Sequence, residues 1–459
     1  MKANPAALFP VLLSMKRIGL FVFLLIAEGA GVAQGQGTFE ERIDFGYYIE
    51  HTSITESPDS SLYLSGYYFK DSMSRSQGCP ASIFIIKTDK KGEVLWAKEI
   101  DGGCFSTITA TYDNGFLVVY INEKTNALIL IRFDSNGNSL WSKQYSYFNF
   151  ATTIKEAIDH SFLLLCQNVL LKLDSLGNLQ WSKSVSKIEM PISANGFVEN
   201  QDGSCIAIGS TTDAVMSLVK FSSSGNILWH KLDSMSAIVS GIIATKLGGF
   251  AICGTAVKPS GDNDLFVAGF DSSGNFLWDK TIDGFGSEEG KDITQMNNGD
   301  FVILARSFTN HTIRLLICRA TIDGEIKSLK LLNEGIASEG HSIIRTSGND
   351  IAISGSYRQD TNSGQSIIFS KFVSENDLCK SQDQLYSTDV RELNSTEVID
   401  TFVANILPGD VGLPTTTQIQ YKVSDLCLNS SIQGSKFSYS SFSLSPNPPP
   451  PIRASHHPS

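Results

Sequence analysis

The chain has 459 residues, of which 42% are hydrophobic and 18% are charged, and its formal net charge is -11. The length allows about three average domains or one large repeat domain, and the charged fraction lies below the roughly 25% usual for soluble proteins. Nucleic acid is a poor partner for so acidic a chain, because its phosphates would be repelled.

The N-terminus has the pattern of a secretory signal peptide. Lys16 and Arg17 precede the apolar run IGLFVFLLIA (Ile18–Ala27), and small residues follow it up to Gly35. A basic start, a short apolar stretch and a small-residue exit are typical of signal peptides, and the run is shorter than the roughly 20 residues of a membrane span. We therefore expect residues 1–35 to be removed, with no transmembrane span, and the mature protein to be secreted or held at the cell surface.

A turn phrase recurs along the chain after this segment. It is FDSNGNSLWSKQYS at Phe133–Ser146, and FDSSGNFLWDKTI at Phe270–Ile282 is a close copy. All the tryptophans of the chain occupy the same slot in the copies, 45, 40, 48 and 49 residues apart: Trp96, Trp141, Trp181, Trp229 and Trp278. A period of 40–50 residues with strand-like content predicts a β-propeller.

Each repeat also contains a second turn signal upstream, as in YDNGFLVVY (Tyr112–Tyr120). The two turns divide a repeat into four strands, A to D, which is the content of a propeller blade. Seven such upstream turns predict seven blades, and six or eight would require a miscounted unit. The last repeat has no D strand after Phe372, whereas GTFEERIDFG (Gly37–Gly46) aligns with one. We predict an all-β fold, a seven-bladed β-propeller of four-stranded antiparallel blades over residues 36–376, closed by the N-terminal strand.

The tryptophan slot predicts how the blades adhere. An indole on strand D would lie against the next blade and bury roughly 150–250 Å². This arrangement resembles the tryptophan-docking motif of quinoprotein-dehydrogenase-like propellers, whose turn is one residue longer and carries a Thr before the Gly. The repeats of Gly37–Phe372 resemble more closely those of secreted proteins of Bacteroidota, with blades that read DGGF…G…D…KxDxxGNxxWxK. The resemblance implies a fold, and it implies no activity, since propellers host many functions.

Two disulfide bonds are predicted from cysteine placement. Cys79 lies in the long B–C loop of the first blade and Cys104 in the following D–A connection, so they fall in adjacent loops on one face. Cys379 and Cys427 bracket a polar, β-prone stretch, and they form either a second bridge or two free thiols. The other cysteines fall within predicted strands as buried small hydrophobes: Cys166, Cys205, Cys253 and Cys318.

The C-terminal residues depart from the repeat. We expect residues 377–440 to form a small disulfide-stapled β appendage and the Pro-rich tail 441–459 to be disordered by composition. LSPNP (Leu444–Pro448) resembles the opening of a type A sorting domain of the type nine secretion system. That family continues for roughly seventy residues of β sandwich, so the resemblance implies a truncated sorting domain.

No constellation of catalytic, cofactor-binding or metal-ligating residues is evident in the sequence. It contains no HExxH motif, no GxSxG elbow and no phosphate loop. Asp262 and Asp264 are spaced as in calcium loops, but the remaining ligands of an EF-type loop are missing, so turn capping is the simpler interpretation. The turn aspartates Asp89, Asp134, Asp174 and Asp271 are expected to be structural. Acidic groups in 287–292 and 338–342 open A strands near the channel and could gather a cation.

Three functional hypotheses follow. The first is a non-enzymatic scaffold, monomeric, without cofactor, that presents the variable B–C and D–A loops to an unknown protein or glycan at the cell surface. The alternative is an enzyme, quinoprotein-like or polysaccharide-degrading, with its site in the central channel. A third is a sugar binder similar to bulb lectins, since DSNGNSLW is similar to DGNLVLW, although the pattern QxDxNxVxY is absent and the period is too long.

Overall fold

A computed structural model describes residues 38–69, 81–146, 151–185, 192–211, 213–284, 286–309, 312–332, 337–359 and 364–374, and six short strands between 381 and 425. These residues are all-β, as predicted. They include no helix long and apolar enough to cross a bilayer. The predicted signal peptide and the Pro-rich tail lie outside the described residues.

The strands up to residue 372 follow one another closely along the chain. In chain order they are β1 (Phe39–Asp44), β2 (Tyr48–Glu56), β3 (Leu62–Phe69), β4 (Ser82–Thr88), β5 (Val94–Asp101), β6 (Gly103–Ala110), β7 (Phe116–Asn122), β8 (Ala127–Phe133), β9 (Ser139–Ser146), β10 (Ala151–Glu156), β11 (Phe162–Cys166), β12 (Val169–Leu173), β13 (Leu179–Ser184), β14 (Ile192–Glu199), β15 (Cys205–Thr211), β16 (Val215–Phe221), β17 (Ile227–Ala244), β18 (Phe250–Ala256), β19 (Asp264–Phe270), β20 (Phe276–Asp283), β21 (Ser287–Gln295), β22 (Phe301–Thr309), β23 (Thr312–Ala320), β24 (Ile326–Leu332), β25 (Ala337–Arg345), β26 (Ile351–Arg358) and β27 (Ser366–Phe372).

These strands pair into four-stranded antiparallel units, which confirms the predicted blade content. The units are I (β2–β5), II (β6–β9), III (β10–β13), IV (β14–β16 with the first half of β17), V (the second half of β17 with β18–β20), VI (β21–β24) and VII (β25–β27 with β1). The long β17 passes directly from unit IV to unit V. A parallel bridge between Ile313 and Ala337 links unit VI to unit VII.

The outer strand of unit VII comes from the opposite end of the chain. β1 pairs antiparallel with β27, in a register that sets Phe39 opposite Lys371 and Ile43 opposite Ile367. The aligned stretch after Gly37 therefore occupies the position of a D strand, and it satisfies backbone groups of β27 that would otherwise form an open sheet edge.

The two middle strands of a unit are buried on both faces. β8 (ALILIRF) is buried at every position, and β7 (FLVVYIN) at every position except the last. The outer β9 (SLWSKQYS) instead has only Ser142 and Tyr145 buried, with Leu140 exposed and the other residues half-buried. Continuous apolar runs are typical of strands covered on both sides. The burial pattern thus requires neighbouring units to cover each sheet.

The Asp-x-x-Gly-Asn turn is a three-residue hairpin loop with its glycine in the left-handed region. In unit II the Gly137 φ is +74° and its N–H donates to the Asp134 carbonyl at 3.0 Å. The Asp134 carboxylate accepts the backbone N–H groups of Asn136 and Asn138 at 2.9 and 2.8 Å. The same contacts recur at Asp174 and Asp271, so these carboxylates hold the turns.

Apolar clusters fill the spaces between consecutive units. One cluster joins units I and II around Tyr63 and Phe116, and comparable clusters follow along the chain. A further cluster joins unit VII to unit I and contains Phe39, Ile43, Phe84 and Phe369. The last unit therefore packs against the first through the same kind of core as sequential neighbours.

Each tryptophan lies against the turn glycine of the following unit. A methyl group on that glycine would lie 2.5 to 3.1 Å from the indole, so only glycine fits. The pairs are Trp96 with Gly137, Trp141 with Gly177, Trp181 with Gly225, Trp229 with Gly274, and Trp278 with Gly324. In two units a lysine two residues after the tryptophan also contacts this turn. Lys98 donates a hydrogen bond to the Gly137 carbonyl, and Lys231 donates one to the Gly274 carbonyl. The repeated GNxxWxK phrase thus encodes both sides of a contact between units.

The two units without a tryptophan fit the same scheme. Phe39 of β1 takes the slot in unit VII and packs against Gly92 of unit I, where a methyl group would lie 2.8 Å from the ring. Ser328 occupies the slot in unit VI. The turn it would face in unit VII does not exist, because the outer strand there comes from the N-terminus and no C–D hairpin is formed.

The C-terminal strands extend the outer edges of the units. They are β28 (Ser381–Asp383), β29 (Ser387–Asp389), β30 (Ser395–Glu397), β31 (Pro408–Asp410), β32 (Thr417–Gln418) and β33 (Lys422–Asp425). In that order they pair antiparallel with the outer strands of units VI, V, IV, II, I and VII. We call β28–β33 the outer strap.

The outer strap falls within residues 377–440, where a small β appendage was expected, and its described strands pair with the units and not with one another. The reason is that every outer strand presents a row of unpaired N–H and C=O groups, and a polar, β-prone segment satisfies them. Cys79, Cys379 and Cys427 lie outside the described residues, so both disulfide bonds stay predictions. Cys104 is buried at the start of β6.

Candidate functional site

The first strands of all the units surround a cavity of about 880 Å³. His51 of unit I, Lys155 of unit III, Asn195 of unit IV, Asp292 of unit VI and His341 of unit VII all line it. We call this cavity the channel. Its volume is in the range of ligand pockets, roughly 300–1,000 Å³.

A β-bulge interrupts each first strand. In β21 the register shifts between Gly290 and Asp292, and in β25 between Gly340 and Ser342; β6, β10, β14 and the second half of β17 shift at the equivalent place, and β2 shifts two residues earlier, between Ile49 and His51. A bulge bends a strand and redirects a side chain, and bulges are frequent beside active sites. Asn195 and His341 are themselves bulged residues and His51 and Asp292 directly follow a bulge, whereas Lys155 lies two residues beyond the shift in β10.

Two histidines from opposite ends of the chain meet in the channel. The rings of His51 and His341 stack with centroids 5.3 Å apart. The Thr52 backbone N–H donates to His341 Nδ1 at 3.1 Å, so in the neutral ring the hydrogen is on Nε2. Burial, and then the charge of Lys291, lowers the pKa of His51 to about 4. Burial and the neighbouring cationic groups also lower the pKa of His341, and both rings are neutral at pH 7.

A lysine and an aspartate face each other across the channel at longer range. Burial lowers the pKa of Lys155, and attraction to Asp292 and Glu199 opposes that shift. Burial likewise raises the pKa of Asp292 to about 6. Both carboxylate oxygens of Asp292 accept backbone N–H groups, from Ile293 at 2.9 Å and from Ile343 of unit VII at 3.0 Å. Asp292 therefore ties two units together as well as lining the channel.

An ion-pair network adjoins the channel where units VI and VII meet. Glu289 lies 3.2 Å from Lys291 Nζ and 2.7 Å from Arg306, and Arg306 also pairs with Glu339 of unit VII. The acidic residues expected to open A strands near the channel are thus compensated by bound basic groups. Glu288 differs, because its carboxylate accepts the N–H groups of two loop residues and the Ser307 hydroxyl.

A cluster of three carboxylates lies at the ends of β19, β20 and β21, at the junction of units V and VI. Single oxygens of Asp264, Asp283 and Glu288 lie within 4.8 Å of one another. The Lys258 ammonium lies among them, 2.7 Å from Asp264 and 3.3 Å from Asp283. Burial raises the pKa of Glu288 to about 7. The cluster therefore already contains a cation of the protein, and this is where the structure places the Asp264 that was singled out in the sequence.

The residues of the channel were not predicted from the sequence. His51 and His341 are half-buried and stacked, although they are 290 positions apart in the sequence. The signal that was available is the phrase Glu-x-x-Ser around them, EHTS and EGHS, at the opening of two A strands. Some of the B–C and D–A loops expected to carry function lie outside the described residues, namely those that contain 70–80, 147–150, 186–191 and 333–336.

Comparisons with known proteins do not assign a family. No family model matches the chain, and no curated protein matches it. Among solved structures, virginiamycin B lyase from Staphylococcus aureus is 12% identical with a TM-score of 0.47, over 72% of this chain and 99% of that one. A structure of YCF48 bound to D1 peptide is 12% identical with a TM-score of 0.45, over 72% and 96%. A protein of unknown function from Bacteroides caccae is 14% identical with a TM-score of 0.36, over 53% and 93%. At these identities and scores the likenesses carry no conclusion about activity.

Proposed function

We propose that this chain is a seven-bladed β-propeller, closed by β1, that works outside the cell as a non-enzymatic binding protein. Units I to VII are its blades, and the channel with its surrounding loops is its binding site for a protein or glycan ligand. Closure is supported by the pairing of β1 with β27 and by the apolar cluster between units VII and I. Export is supported by the signal-peptide pattern of residues 1–35.

The observation that carries the binding role is the convergence of polar side chains from separate units on one cavity. Folding gains nothing from desolvating Lys155 or His51, because burial disfavours the charged form of each. Polar groups held at such a cost are typical of functional sites. Asp292, the one carboxylate at the bulge level among them, has both oxygens engaged by backbone N–H groups, which favours a fixed binding surface over a general base.

Binding is tested with the mature protein, purified after secretion from a host that processes signal peptides. Sequencing its N-terminus tests cleavage near Gly35, and light scattering tests the expected monomer. Glycan and peptide arrays then search for ligands, with Asp292→Asn and His341→Gln as channel variants. A ligand whose binding is lost in the channel variants supports the proposal. A ligand that binds both variants with unchanged affinity would show that the channel is not its binding site.

An enzyme remains the second candidate, and one observation favours it. The pKa of Asp292 is raised to about 6 and that of Lys155 is lowered, as acid–base chemistry requires. Turnover of polysaccharide or peptide substrates that is lost in Asp292→Asn would establish this reading. For the quinoprotein version, a spectral change on addition of pyrroloquinoline quinone and calcium is the corresponding test.

A further inference from the structure

We propose that the channel takes a ligand through an oxyanion, a carboxylate, phosphate or sulfate group, which Lys155 receives, while the His51–His341 pair in the same lining offers further donors to the ligand. This inference rests on the proposed function, since it names the chemistry of the ligand at the same site. It follows from an account of which hydrogen-bonding groups in the channel are already used and which are open.

Lys155 is the main open donor. Its ammonium has no hydrogen-bond acceptor and no ion-pair partner among the described residues, and the nearest aromatic ring, that of Phe197, lies 5.9 Å away. Its attraction to Asp292 and Glu199 acts only at longer range. The other lysines of the channel lining are engaged, since Lys291 pairs with Glu289 at 3.2 Å and Lys246 donates to Asn297. The Lys155 ammonium therefore lies in the channel with three N–H groups that form no hydrogen bond to the described residues.

The histidine pair adds further donors. His341 Nδ1 accepts from Thr52, which leaves an N–H at Nε2. Within the part of the chain that the structure describes, no hydrogen bond is made by His341 Nε2 or by the ring nitrogens of His51. A neutral imidazole donates one hydrogen bond, so each ring offers one donor to an anion at pH 7.

The carboxylates of the channel, in contrast, already accept hydrogen bonds from the protein. Each Asp292 oxygen accepts a backbone N–H, one from Ile293 and one from Ile343. Toward the A–B turns, Glu156 accepts the Tyr112 N–H and Glu56 accepts from Ser347. A ligand that enters thus meets an open ammonium and carboxylates engaged by protein N–H groups, and an oxyanion is the group that pairs most strongly with the ammonium.

Lys155 should also lower the stability of the ligand-free protein. An ammonium taken from water without a partner is unfavourable, and an apolar isostere at such a position is often neutral or stabilising. Binding sites often retain residues that lower the folding stability, because the function requires them. Lys155→Met is therefore expected to raise the melting temperature of the ligand-free protein by a few degrees, whereas a purely structural lysine would lower it when replaced.

The test titrates the full mature chain with sodium sulfate, inorganic phosphate and citrate, and with glucose as a neutral control, by calorimetry. The three anions distinguish the sources of the oxyanion. We expect one site per chain for at least one anion and none for glucose. Loss of a hydrogen bond to a charged group is worth about 1.5–3 kcal/mol, so Lys155→Met should weaken that binding by roughly 10- to 150-fold.

Two variants control the interpretation. Lys155→Arg keeps the charge and should stay within a few-fold of the parent. Lys280→Met removes a lysine from the outer strand β20, away from the channel, and should change nothing. Anion binding that survives Lys155→Met overturns the inference. If neutral ligands bind in a manner that depends on Asp292 and His341 but the anions do not bind, the binding function stands and the oxyanion inference falls; if neither class binds the channel, both fall.

Discussion

The contact between indole and turn glycine can be tested by adding a single methyl group. Gly274 lies at the C–D turn of unit V with a φ of +72°, and a methyl group there would lie 2.7 Å from the Trp229 ring. Gly248 lies at the A–B turn of the same unit with a φ of +88°, and a methyl group there has nothing within 4 Å. Gly274→Ala and Gly248→Ala therefore share the backbone cost and differ in the contact.

The expected magnitudes follow from these distances. A left-handed conformation costs an L-residue roughly 1–2 kcal/mol, which the reduced freedom of the unfolded chain offsets by about 0.4–1 kcal/mol. Gly248→Ala should thus lower the free energy of unfolding by about 1 kcal/mol. Ordinary contact begins at 3.4 Å, so in Gly274→Ala the indole must retreat by about 0.7 Å. Overpacking of this kind costs a further 1–3 kcal/mol, for a total of about 2–4 kcal/mol.

Urea unfolding followed by tryptophan fluorescence measures both variants against the parent. Trp229→Leu provides a second background, in which the added methyl group meets no indole and Gly274→Ala should cost no more than Gly248→Ala. Equal destabilisation by the two alanines in the parent would refute the contact as the source of adhesion between units. So would an excess cost of Gly274→Ala that persists in the Trp229→Leu background.

The other predictions concern closure, the outer strap, pH and the disulfide. Phe39→Ala should lower the free energy of unfolding by about 3–5 kcal/mol, measured in urea, because Phe39 is 7% exposed between units VII and I; a change below 1 kcal/mol would contradict its role. Deletion of 381–425 should leave circular dichroism largely unchanged but cause self-association in light scattering, since outer edges become unpaired; a stable monomer would contradict this. His51 has a folded pKa of about 4 against 6.5 unfolded, so the unfolded state binds the proton first and stability should fall from pH 6.5 to 4; His51→Gln should flatten that slope in thermal unfolding. Non-reducing peptide mapping should recover a linked Cys79–Cys104 peptide, and two alkylated thiols would exclude it.

Local pattern was sufficient for the strands and turns. The Asp-x-x-Gly-Asn phrase requires a left-handed glycine and a capping carboxylate within five residues, so its conformation could be read without knowing its neighbours. The same holds for the strand content and for the four strands per repeat, both of which the structure confirms. The alignment of Gly37–Gly46 with a D strand also came from local pattern.

The candidate site could not be predicted in this way. His51 and His341 are 290 positions apart in the sequence, and nothing near either residue shows that their rings will stack. Their meeting depends on the angle between successive units and on a bulge in each first strand, which moves a side chain from the sheet into the channel. A sequence period does not reveal a bulge, because the extra residue leaves the hydrophobic pattern of the strand nearly intact.

The sequence by itself determined the repeating element: the strand lengths, the turn chemistry, and an indole and a glycine at matching positions in successive repeats. The tertiary structure alone decided which side chains face one another across the channel and where the C-terminal strands pair. The physical reason is range, because turns and strands are set by residues a few positions apart, whereas the channel and the outer strap arise only when separate units are brought side by side.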